Sequence, residues 1–390
     1  MKPHAAYIDH SYHKITGSTR FFIDLLSAAF RVDVYWDESW NGGPPADLAK
    51  IADGDYDVIV FFQTMYPPYL LDILNCANII YIPMYDNARA MDDSFWLRFR
   101  DMVRFICFSS SLHERLSGLG LQSKYIQYFI QPHKGPGITD FTSLRGFFWQ
   151  RQHDVTWKEV GRLIKKTRFS RFYLHGAVDP GFEFYSPSKK ETRKYNISTS
   201  AWFQSKKDFT GVLRDCNVFF ASRCYEGIGM SFIEAMTMGQ CVVAPDSPTM
   251  NEYIANGETG LLYDIDNIKP IDLSNAAAMG SRAREYCAEG FLRWNRARDA
   301  LLEFMYSFSK RGRSRAKGKN KGSDETAEGK RRALLYSTLQ EQYTHSESVK
   351  KDNERLNEEL KNVFSSYSFR LGTMVLAPVK AVIGLMKKII

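Results

Sequence analysis

Two glutamates, Glu226 and Glu234, stand with seven residues between them around a loop that leads into a predicted helix. Gly227 and Gly229 in that loop would let backbone N–H groups approach a ligand closely. The unpaired N–H groups and the positive dipole end of a helix favour a bound diphosphate. Because carboxylates accept hydrogen bonds from sugar hydroxyls, a diphosphate between two carboxylates suggests a nucleotide-sugar site. The alternative is that both glutamates are solvated charges stabilised by the helix dipole.

The elements around these residues follow from local patterns. Asn217–Ala221 and Cys241–Ala244 are short apolar runs with strand character, and Ser231–Met238 is a helical stretch between them. Arg223–Gly229 is the connecting loop. Gly239 stands where a helix needs a left-handed residue at its C-terminal end. The pattern is therefore strand, loop, helix and strand, with the loop and the helix start presenting the chemistry.

The strings EGIGMSFIEAMTMGQCVVAPD and NEYIANGETGLLYD resemble the E-x7-E motif and flanks of retaining GT-B glycosyltransferases. The resemblance is close over Asn217–Asp264 and loose over the rest of residues 1–300. It implies an α/β fold of two Rossmann-like domains that face each other across a cleft. It also implies transfer of a sugar from a nucleotide sugar to a bacterial surface polysaccharide such as O-antigen or capsule, with a lipid-linked acceptor.

The same resemblance assigns roles within the motif. Glu234 would hold the ribose hydroxyls and Glu226 the hydroxyls of the transferred sugar. Backbone groups at Gly229, Met230 and Ser231, together with the neighbouring Gly227, would hold the diphosphate. Charge develops on the leaving diphosphate, so these donors would supply the main catalytic effect. Glu226 is the candidate catalytic residue of the motif.

Four further donor-binding candidates lie outside the motif. Gly17 and Ser18 fall where GT-B enzymes place a glycine loop beside the cleft. Arg151 matches the family arginine for the diphosphate, whereas Lys158 comes two residues after the position of the family lysine, which is Thr156 here. This departure indicates altered phosphate contacts.

Asp86 is the second candidate catalytic residue. It follows the predicted strand IIYIPMY at the strand end where α/β sheets bind ligands. The family often has a polar cleft residue, His or Asp, at this point. The alternative interpretation is an Asx turn with Asn87.

No metal is expected. The triplets Asp53-x-Asp55 and Asp55-x-Asp57 resemble manganese-binding motifs of other glycosyltransferases, but they precede the buried run VIVFF, where a polar turn is needed anyway. His10 and His13, on the loop after the first predicted strand, are interpreted as hydrogen-bonded loop residues.

Composition supports an ordinary globular body. The 390 residues, 44% of them apolar, suffice for about two domains. Six cysteines show no metal-ligand spacing, and several lie in apolar runs, which favours a reducing, cytoplasmic compartment. The start MKPHAAYIDH has no apolar segment, so no secretory signal is predicted.

The net charge of +8 is concentrated near the C-terminus. Residues 310–332 contain ten Lys or Arg and three acidic residues, and residues 361–390 contain five basic residues and no acidic one. The body is near neutral and the basic run contains no aromatic residue, so nucleic-acid binding is not expected.

Five segments follow from these patterns. Residues 1–145 are the predicted acceptor domain and 146–308 the nucleotide-sugar donor domain, ending in a long amphipathic helix. Residues 309–332 are a predicted disordered basic linker. Residues 333–365 carry a heptad pattern that predicts a coiled coil and a homodimer, with a single solvated helix as the alternative. Residues 366–390 are a predicted membrane-associating tail.

The tail is too short and too interrupted for a membrane span of about 20 residues. After Pro378 its apolar residues fall on one helical face and its lysines on the other, as in helices that lie in the headgroup plane. The expected location is therefore peripheral, on the inner face of the cell membrane. A sugar-binding scaffold with weak catalysis is the alternative function.

Overall fold

The computed structural model describes residues 2–307, apart from 75, 180 and 202–205, and residues 337–338, 340–341, 344–345, 348–356 and 358–359. Residues 309–332 and 366–390, the predicted linker and tail, lie outside the described residues. Within the described part, no helix combines the length and the apolar content needed to cross a membrane.

The N-terminal half folds around one six-stranded parallel sheet in the order β2-β1-β3-β4-β5-β6. Its central strands are continuous apolar runs such as VIVFF, buried on both faces because helices cover both sides. The strands are β1 (His4–His10), β2 (Arg31–Asp37), β3 (Val58–Phe62), β4 (Ile79–Ile82), β5 (Arg104–Cys107) and β6 (Ser123–Tyr125). The helices are α1 (Tyr12–Thr16), α2 (Arg20–Ala29), α3 (Leu48–Asp53), α4 (Pro68–Leu71), α5 (Tyr85–Ala88), α6 (Asp93–Leu97) and α7 (Ser110–Gly118).

The following half repeats this architecture with a second six-stranded parallel sheet, in the order β12-β11-β10-β7-β8-β9. Its strands are β7 (Arg145–Trp149), β8 (Arg171–His175), β9 (Ile197–Ser200), β10 (Val218–Phe220), β11 (Cys241–Pro245) and β12 (Leu261–Tyr263). Its helices are α8 (Trp157–Leu163), α9 (Lys189–Lys194), α10 (Lys206–Asp215), α11 (Met230–Met238) and α12 (Met250–Tyr253). A long helix, α13 (Ala276–Tyr306), follows the sheet.

Helix α13, the predicted long amphipathic helix, joins the two halves. Its N-terminal part packs beside α11, and Trp294 further along lies 5.9 Å from Phe21 and 5.0 Å from Tyr128, ring centre to ring centre. At the C-terminal end, Arg104 of β5 donates to the backbone oxygens of Phe304 and, at 2.8 Å, Met305. A cation there satisfies carbonyls left unpaired by the helix and favours its dipole.

Residues 348–356 of the predicted coiled coil are helical. Lys351 donates through Nζ to the backbone oxygen of Ser39, and Gln340 donates to that of Ala46 at 3.3 Å. Val349 and Leu356, two apolar heptad positions, are 46% and 48% exposed. The helix therefore contacts the first half of the chain, and pairing with a second copy stays a prediction.

A second contact between the halves is made by Glu252 of α12. Its carboxylate accepts hydrogen bonds from Ser109 Oγ at 2.7 Å and from the N–H groups of Ser110 and Ser111 at 2.7 and 3.2 Å. These N–H groups belong to the first turn of α7, so a carboxylate from the second half caps a helix of the first. Such charge-assisted bonds are each worth about 1.5–3 kcal/mol.

We expect Glu252→Gln to lower stability by about 1–3 kcal/mol, because an amide turns N–H groups toward the α7 donors. With an unfolding entropy of about 2.1 cal/mol/K per residue, a chain of 390 residues loses roughly 1 °C of Tm for each kcal/mol. The measurement is Tm by calorimetry. The matched control is Glu258→Gln, an exposed glutamate six residues further along. Equal Tm values for the two variants would contradict the assigned contact.

Candidate functional site

A cavity of about 410 Å³ opens between the two sheets, where the carboxyl ends of their strands face each other. Open α/β sheets bind ligands at this edge because strand ends, loops and helix N-termini converge there. The loops after β1, β3 and β4 form one wall, and those after β7 and β10 form the other. The lining residues are His10, Tyr12, His13, Thr16, Ser18, Thr19, Phe62, Gln63, Met84, Asp86, Trp149, Arg151, Arg223, Glu226, Gly227, Ile228, Gly229, Met230 and Ser231.

The N-terminus of α11 points into this cavity. Gly229, the residue before the helix, has φ of +82°, and a Cβ there would lie 1.8 Å from the ring of Phe232. Only glycine fits, so the loop can turn sharply and present the first N–H groups at Met230 and Ser231. Among the residues that the structure describes, no side chain caps this end of the helix. An anion in the cavity would therefore meet unpaired donors and the positive end of the helix dipole. Gly239 ends the helix with φ of +85°, as predicted.

Glu226 lies at the inner wall with 12% of its side chain exposed. Burial raises its pKa to about 7, opposed by the charges of Arg223 and Arg151 and assisted by Asp86 and Asp154. Its carboxyl group is thus held near the midpoint of its titration at neutral pH. Perturbation of this size, in a cleft and with named charged neighbours, is typical of functional carboxylates.

Arg223 connects Glu226 to Asp86 on the opposite wall. Its Nη1 lies 3.0 Å from Asp86 Oδ2 and 3.8 Å from Glu226 Oε2. Asp86 is 10% exposed, and its other oxygen accepts from the Asn87 N–H at 3.1 Å. Asp86 therefore makes both the cleft contact and the local bond to Asn87 that its sequence position suggested. The Arg223–Asp86 pair also borders a second, smaller cavity of about 190 Å³.

Arg151 reaches the cavity from the end of β7, but its guanidinium already has a partner. Nε and Nη2 lie 3.1 and 3.2 Å from the two carboxylate oxygens of Asp179, and the group stacks over Trp149 at 5.3 Å. Two-point pairing and stacking fix the plane of the guanidinium. Arg151 is thus a positioned cation at the rim of the site.

Three predicted residues are placed differently from the rest. Gly17 has φ of +64° and lies between the lining residues Thr16 and Ser18. Glu234 is half-buried in the second turn of α11 and is not among the lining residues. Lys158 is exposed on α8 and is not among them either. The cavity therefore brings together Glu226, the α11 N-terminus, Asp86, Arg151 and Ser18.

The Asp53–Asp57 run lies before β3, at the strand end remote from the cleft. Asp57 accepts the His4 N–H at 2.8 Å and so closes the turn. Among the described residues, the group of potential metal ligands whose ligand atoms lie close together is Asp9, His10 and His13, beside the cavity.

Arg223 and the Asp9–His13 pair are the functional candidates that the sequence analysis missed. A sequence feature could have identified Arg223, since it is a lone charged residue between a buried strand and the glutamate loop. The sequence indication for Asp9 is weaker: it is a carboxylate within an apolar run of strand residues. Their partners across the cleft or on another turn cannot be read from local spacing.

The paired sheets, the cleft and the helix N-terminus define a GT-B protein. Residues 183–278 match the family model described as glycosyl transferases group 1. The chain is 31% identical over 111 residues to the lipopolysaccharide core biosynthesis mannosyltransferase LpsB of Rhizobium meliloti, a match covering 28% of this chain and 32% of that protein. It is 36% identical over 87 residues to alpha-maltose-1-phosphate synthase of Mycolicibacterium smegmatis, covering 20% of this chain and 22% of the relative. The matches thus span under one third of either relative.

Solved structures match over a longer part of the chain. Sucrose-phosphate synthase from Thermosynechococcus elongatus superposes with a TM-score of 0.56 and 16% identity, over 78% of this chain and 100% of that one. Anabaena HepE in complex with UDP and glucose superposes with a TM-score of 0.53 and 14% identity, over 77% of this chain and 100% of that one. The lipopolysaccharide outer core galactosyltransferase WaaB superposes with a TM-score of 0.53 and 11% identity, over 78% of this chain and 100% of that one. These structural matches confirm the GT-B fold. The family-model match over residues 183–278 confirms the resemblance to glycosyltransferases of group 1.

The raised pKa of Glu226 predicts how the stability of the protein depends on pH. Because the folded state raises this pKa to about 7, the stability associated with the neutral carboxyl is present at acidic pH and is lost as pH rises through 7. Glu226→Gln removes this titration. We expect the stability of Glu226→Gln relative to wild type to rise between pH 5 and pH 8 by roughly 2 kcal/mol, and its Tm relative to wild type to rise accordingly.

The measurement is Tm by calorimetry across this pH range. The control is Glu258→Gln, whose Tm difference from wild type should not vary with pH. Parallel curves for wild type and Glu226→Gln would show that the Glu226 carboxyl is not held in an unfavourable charged state.

Proposed function

We propose that this protein is a retaining glycosyltransferase that moves a sugar from a nucleotide sugar to a growing, lipid-linked bacterial surface polysaccharide. The observation that carries the proposal is the uncapped N-terminus of α11, which faces Glu226 and Arg151 in one interdomain cavity. That combination offers donors for a diphosphate beside a carboxylate for sugar hydroxyls. The similarity to LpsB supports a role in lipopolysaccharide or related polysaccharide synthesis.

The chemistry follows from where charge develops. As the bond between the sugar and the diphosphate breaks, negative charge collects on the leaving oxygens. N–H groups of Met230 and Ser231 and the fixed guanidinium of Arg151 would stabilise that charge, and they are positioned before the reaction begins. These groups take the role that a metal ion has in other transferases, so the proposal includes no metal.

Glu226 would hold the sugar, and Asp86 would complete the wall beside it. A carboxyl group with a pKa near 7 can accept hydrogen bonds when ionised and donate one when protonated. Sugar hydroxyls, which do both, suit such a group. Arg223 holds Glu226 and Asp86 in place from between them. Glu234, one turn further into α11, is proposed to hold the ribose hydroxyls, and Lys158 stands as a weaker phosphate candidate.

The test is sugar transfer with a panel of nucleotide sugars, carried out in excess chelator. We expect wild type to remain active and Glu226→Ala to lose turnover by at least about 100-fold, since two charged hydrogen bonds are lost. Glu234→Ala should mainly weaken nucleotide binding. The control is Glu114→Ala, an exposed glutamate on α7.

Wild-type turnover in Glu226→Ala would refute the site assignment. Activity abolished by chelator and restored by Mn²⁺ or Mg²⁺ would refute the metal-free proposal. Donor binding by wild type without turnover would favour the scaffold alternative.

We further propose that the protein acts at the inner face of the cell membrane as a homodimer. The amphipathic, lysine-bearing tail of residues 366–390 supports membrane contact, since each basic residue near an anionic surface contributes about 1 kcal/mol. One tail binds weakly, whereas a dimer presents two, and the second binding event is intramolecular. The exposed Val349 and Leu356 support pairing through residues 333–365.

Deletion of residues 366–390 should release the protein from anionic liposomes while transfer to a soluble acceptor continues. Co-sedimentation measures the first effect and the transfer assay the second. A matched control replaces Lys380, Lys387 and Lys388 with glutamine, which keeps the apolar face and should weaken binding less. Unchanged sedimentation of the truncated protein would rule out the tail as the anchor.

A further inference from the structure

A third cavity, of about 350 Å³, lies at the edge of the second sheet where the strands begin, opposite the cleft. Its walls are residues 135–140 of the connection from β6 to β7, Arg145 at the start of β7, and the ends of α10 and α11 at Arg214 and Met238. We call it the basal cavity. It shares no lining residue with the cleft cavity, and its volume is within the range of about 300–1,000 Å³ typical of small-molecule pockets.

Arg214 gives the basal cavity a positive charge that no carboxylate neutralises. Its Nη2 lies 3.0 Å from Nδ1 of His133, which also lines the cavity. Because a guanidinium only donates, this imidazole nitrogen is the acceptor and the ring proton is on Nε2. Within the described ranges no ion pair is assigned to Arg214, and its side chain is exposed. Its remaining N–H groups are therefore available to an anion.

A second cation without a carboxylate partner lies behind the cavity wall. Arg284 of α13 donates through Nη2 to the backbone oxygen of Gly135 at 2.7 Å. Its Nη1 is buried and has no hydrogen-bond partner in the part of the chain that the structure describes. A Cβ added to Gly137, a lining residue, would lie 2.7 Å from this Nη1, so the charge sits directly behind the wall. A buried guanidinium nitrogen without a partner indicates a bound ion or ligand nearby.

The other two charged side chains of the cavity neutralise each other. Asp140 Oδ2 accepts from Arg145 Nη1 at 3.2 Å, and Asp140 Oδ1 accepts the Thr142 N–H at 3.0 Å. Both oxygens of the carboxylate thus have donors within the protein. The positive charges of Arg214 and Arg284 remain in excess.

The negative ends of α10 and α11 border the cavity and oppose this excess. Each helix end is equivalent to about half a negative charge, so the two together offset about one of the two guanidinium charges. The last oxygens of α11 also have donors, since Met238 accepts the Ile138 N–H at 2.8 Å and Gly239 donates to Ala235 and Met236. The basal cavity therefore stays positive.

The donors of the cavity fit a phosphate group. Guanidinium groups bind phosphate oxygens through parallel N–H···O bonds. Among the described residues, no acceptor is assigned to the backbone N–H groups of Gly135 and Gly137 or to the hydroxyl of Thr139, all of which line the cavity. Neutral donors of this kind complete many phosphate sites. The volume leaves room for an organic group beside the phosphate.

We propose that the basal cavity binds a phosphate monoester through Arg214, with the charge of Arg284 behind the wall. The ligand is a soluble sugar phosphate or the phosphate headgroup of a lipid, which share this chemistry. The inference goes beyond the proposed function, because the site lies at the opposite edge of the second sheet from the cleft. A phosphate bound there would contact residues 135–140 and α10 together and so fasten the connection between the halves to the second sheet.

The first experiment is calorimetric titration of the full-length protein with inorganic phosphate, glucose 1-phosphate and glucose 6-phosphate. We expect Arg214→Gln to bind the preferred phosphate at least about 10-fold more weakly, because charged hydrogen bonds are lost. Arg214→Lys, which keeps the charge but not the planar donor pair, should lie between the two. The matched control is Arg168→Gln, an exposed arginine of the same half that does not line the cavity.

Binding of phosphate in the cleft is separated by Arg151→Gln. Because Arg151 lines the cleft cavity and not the basal one, this variant should keep the binding that Arg214→Gln loses. Arg214 is exposed, so its replacement should leave Tm without ligand unchanged.

The two sources of the phosphate are distinguished with vesicles that contain phosphatidic acid or, at equal surface charge, phosphatidylserine. If the ligand is a lipid headgroup, wild type should sediment preferentially with phosphatidic acid, and Arg214→Gln should lose the preference. If the ligand is soluble, the titration shows binding and both proteins sediment equally with the two vesicle types. Either result supports the site.

The inference is overturned if none of the three phosphates binds and wild type shows no preference between the vesicles. It is also overturned if Arg214→Gln binds as wild type does, if Arg168→Gln weakens binding equally, or if Arg151→Gln abolishes it. These measurements record binding and not transfer, so their failure leaves the proposed function unchanged.

Discussion

The salt bridge between Arg223 and Asp86 is the contact on which the shape of the cavity depends. It crosses from one sheet to the other at 3.0 Å, and both side chains are largely buried. Removing one member of such a pair leaves an uncompensated charge and typically costs about 3–5 kcal/mol. Glu226 also faces Arg223, so one guanidinium contacts carboxylates of both walls, and its charge opposes the rise in the Glu226 pKa that burial causes.

Two helix N-termini lie at the boundary between the halves, and their N–H groups have different partners. The start of α7 is filled by the Glu252 carboxylate, which takes its N–H groups and ties the halves together. The start of α11 receives no side-chain cap from the described part of the chain and opens into the cavity. Both ends offer the same donors and the same dipole. One is satisfied within the protein, and the other is available to an anionic ligand.

Much of this arrangement was predictable from local patterns. Buried parallel strands are continuous apolar runs, so β3, β4, β10 and β11 could be assigned from sequence. The left-handed glycine at Gly239 and the glycine turn before α11 follow from the need for positive φ. The position of Glu226 beside the helix start follows from its place in the loop. Because ligands gather at strand carboxyl ends, Asp86 could also be selected. Arg151 was selected through its match to the family arginine.

The sequence by itself determined the apolar strands, the helix that presents its N-terminus and the carboxylate beside it, because these depend on residues within one or two turns of each other. The tertiary structure alone decided which groups meet across the cleft. It paired Arg223 with Asp86, turned Arg151 toward Asp179, left Lys158 outside and joined Asp9 to His13 against the same cavity. Such contacts depend on how strands distant in sequence align, and burial then sets the pKa of the groups enclosed between them.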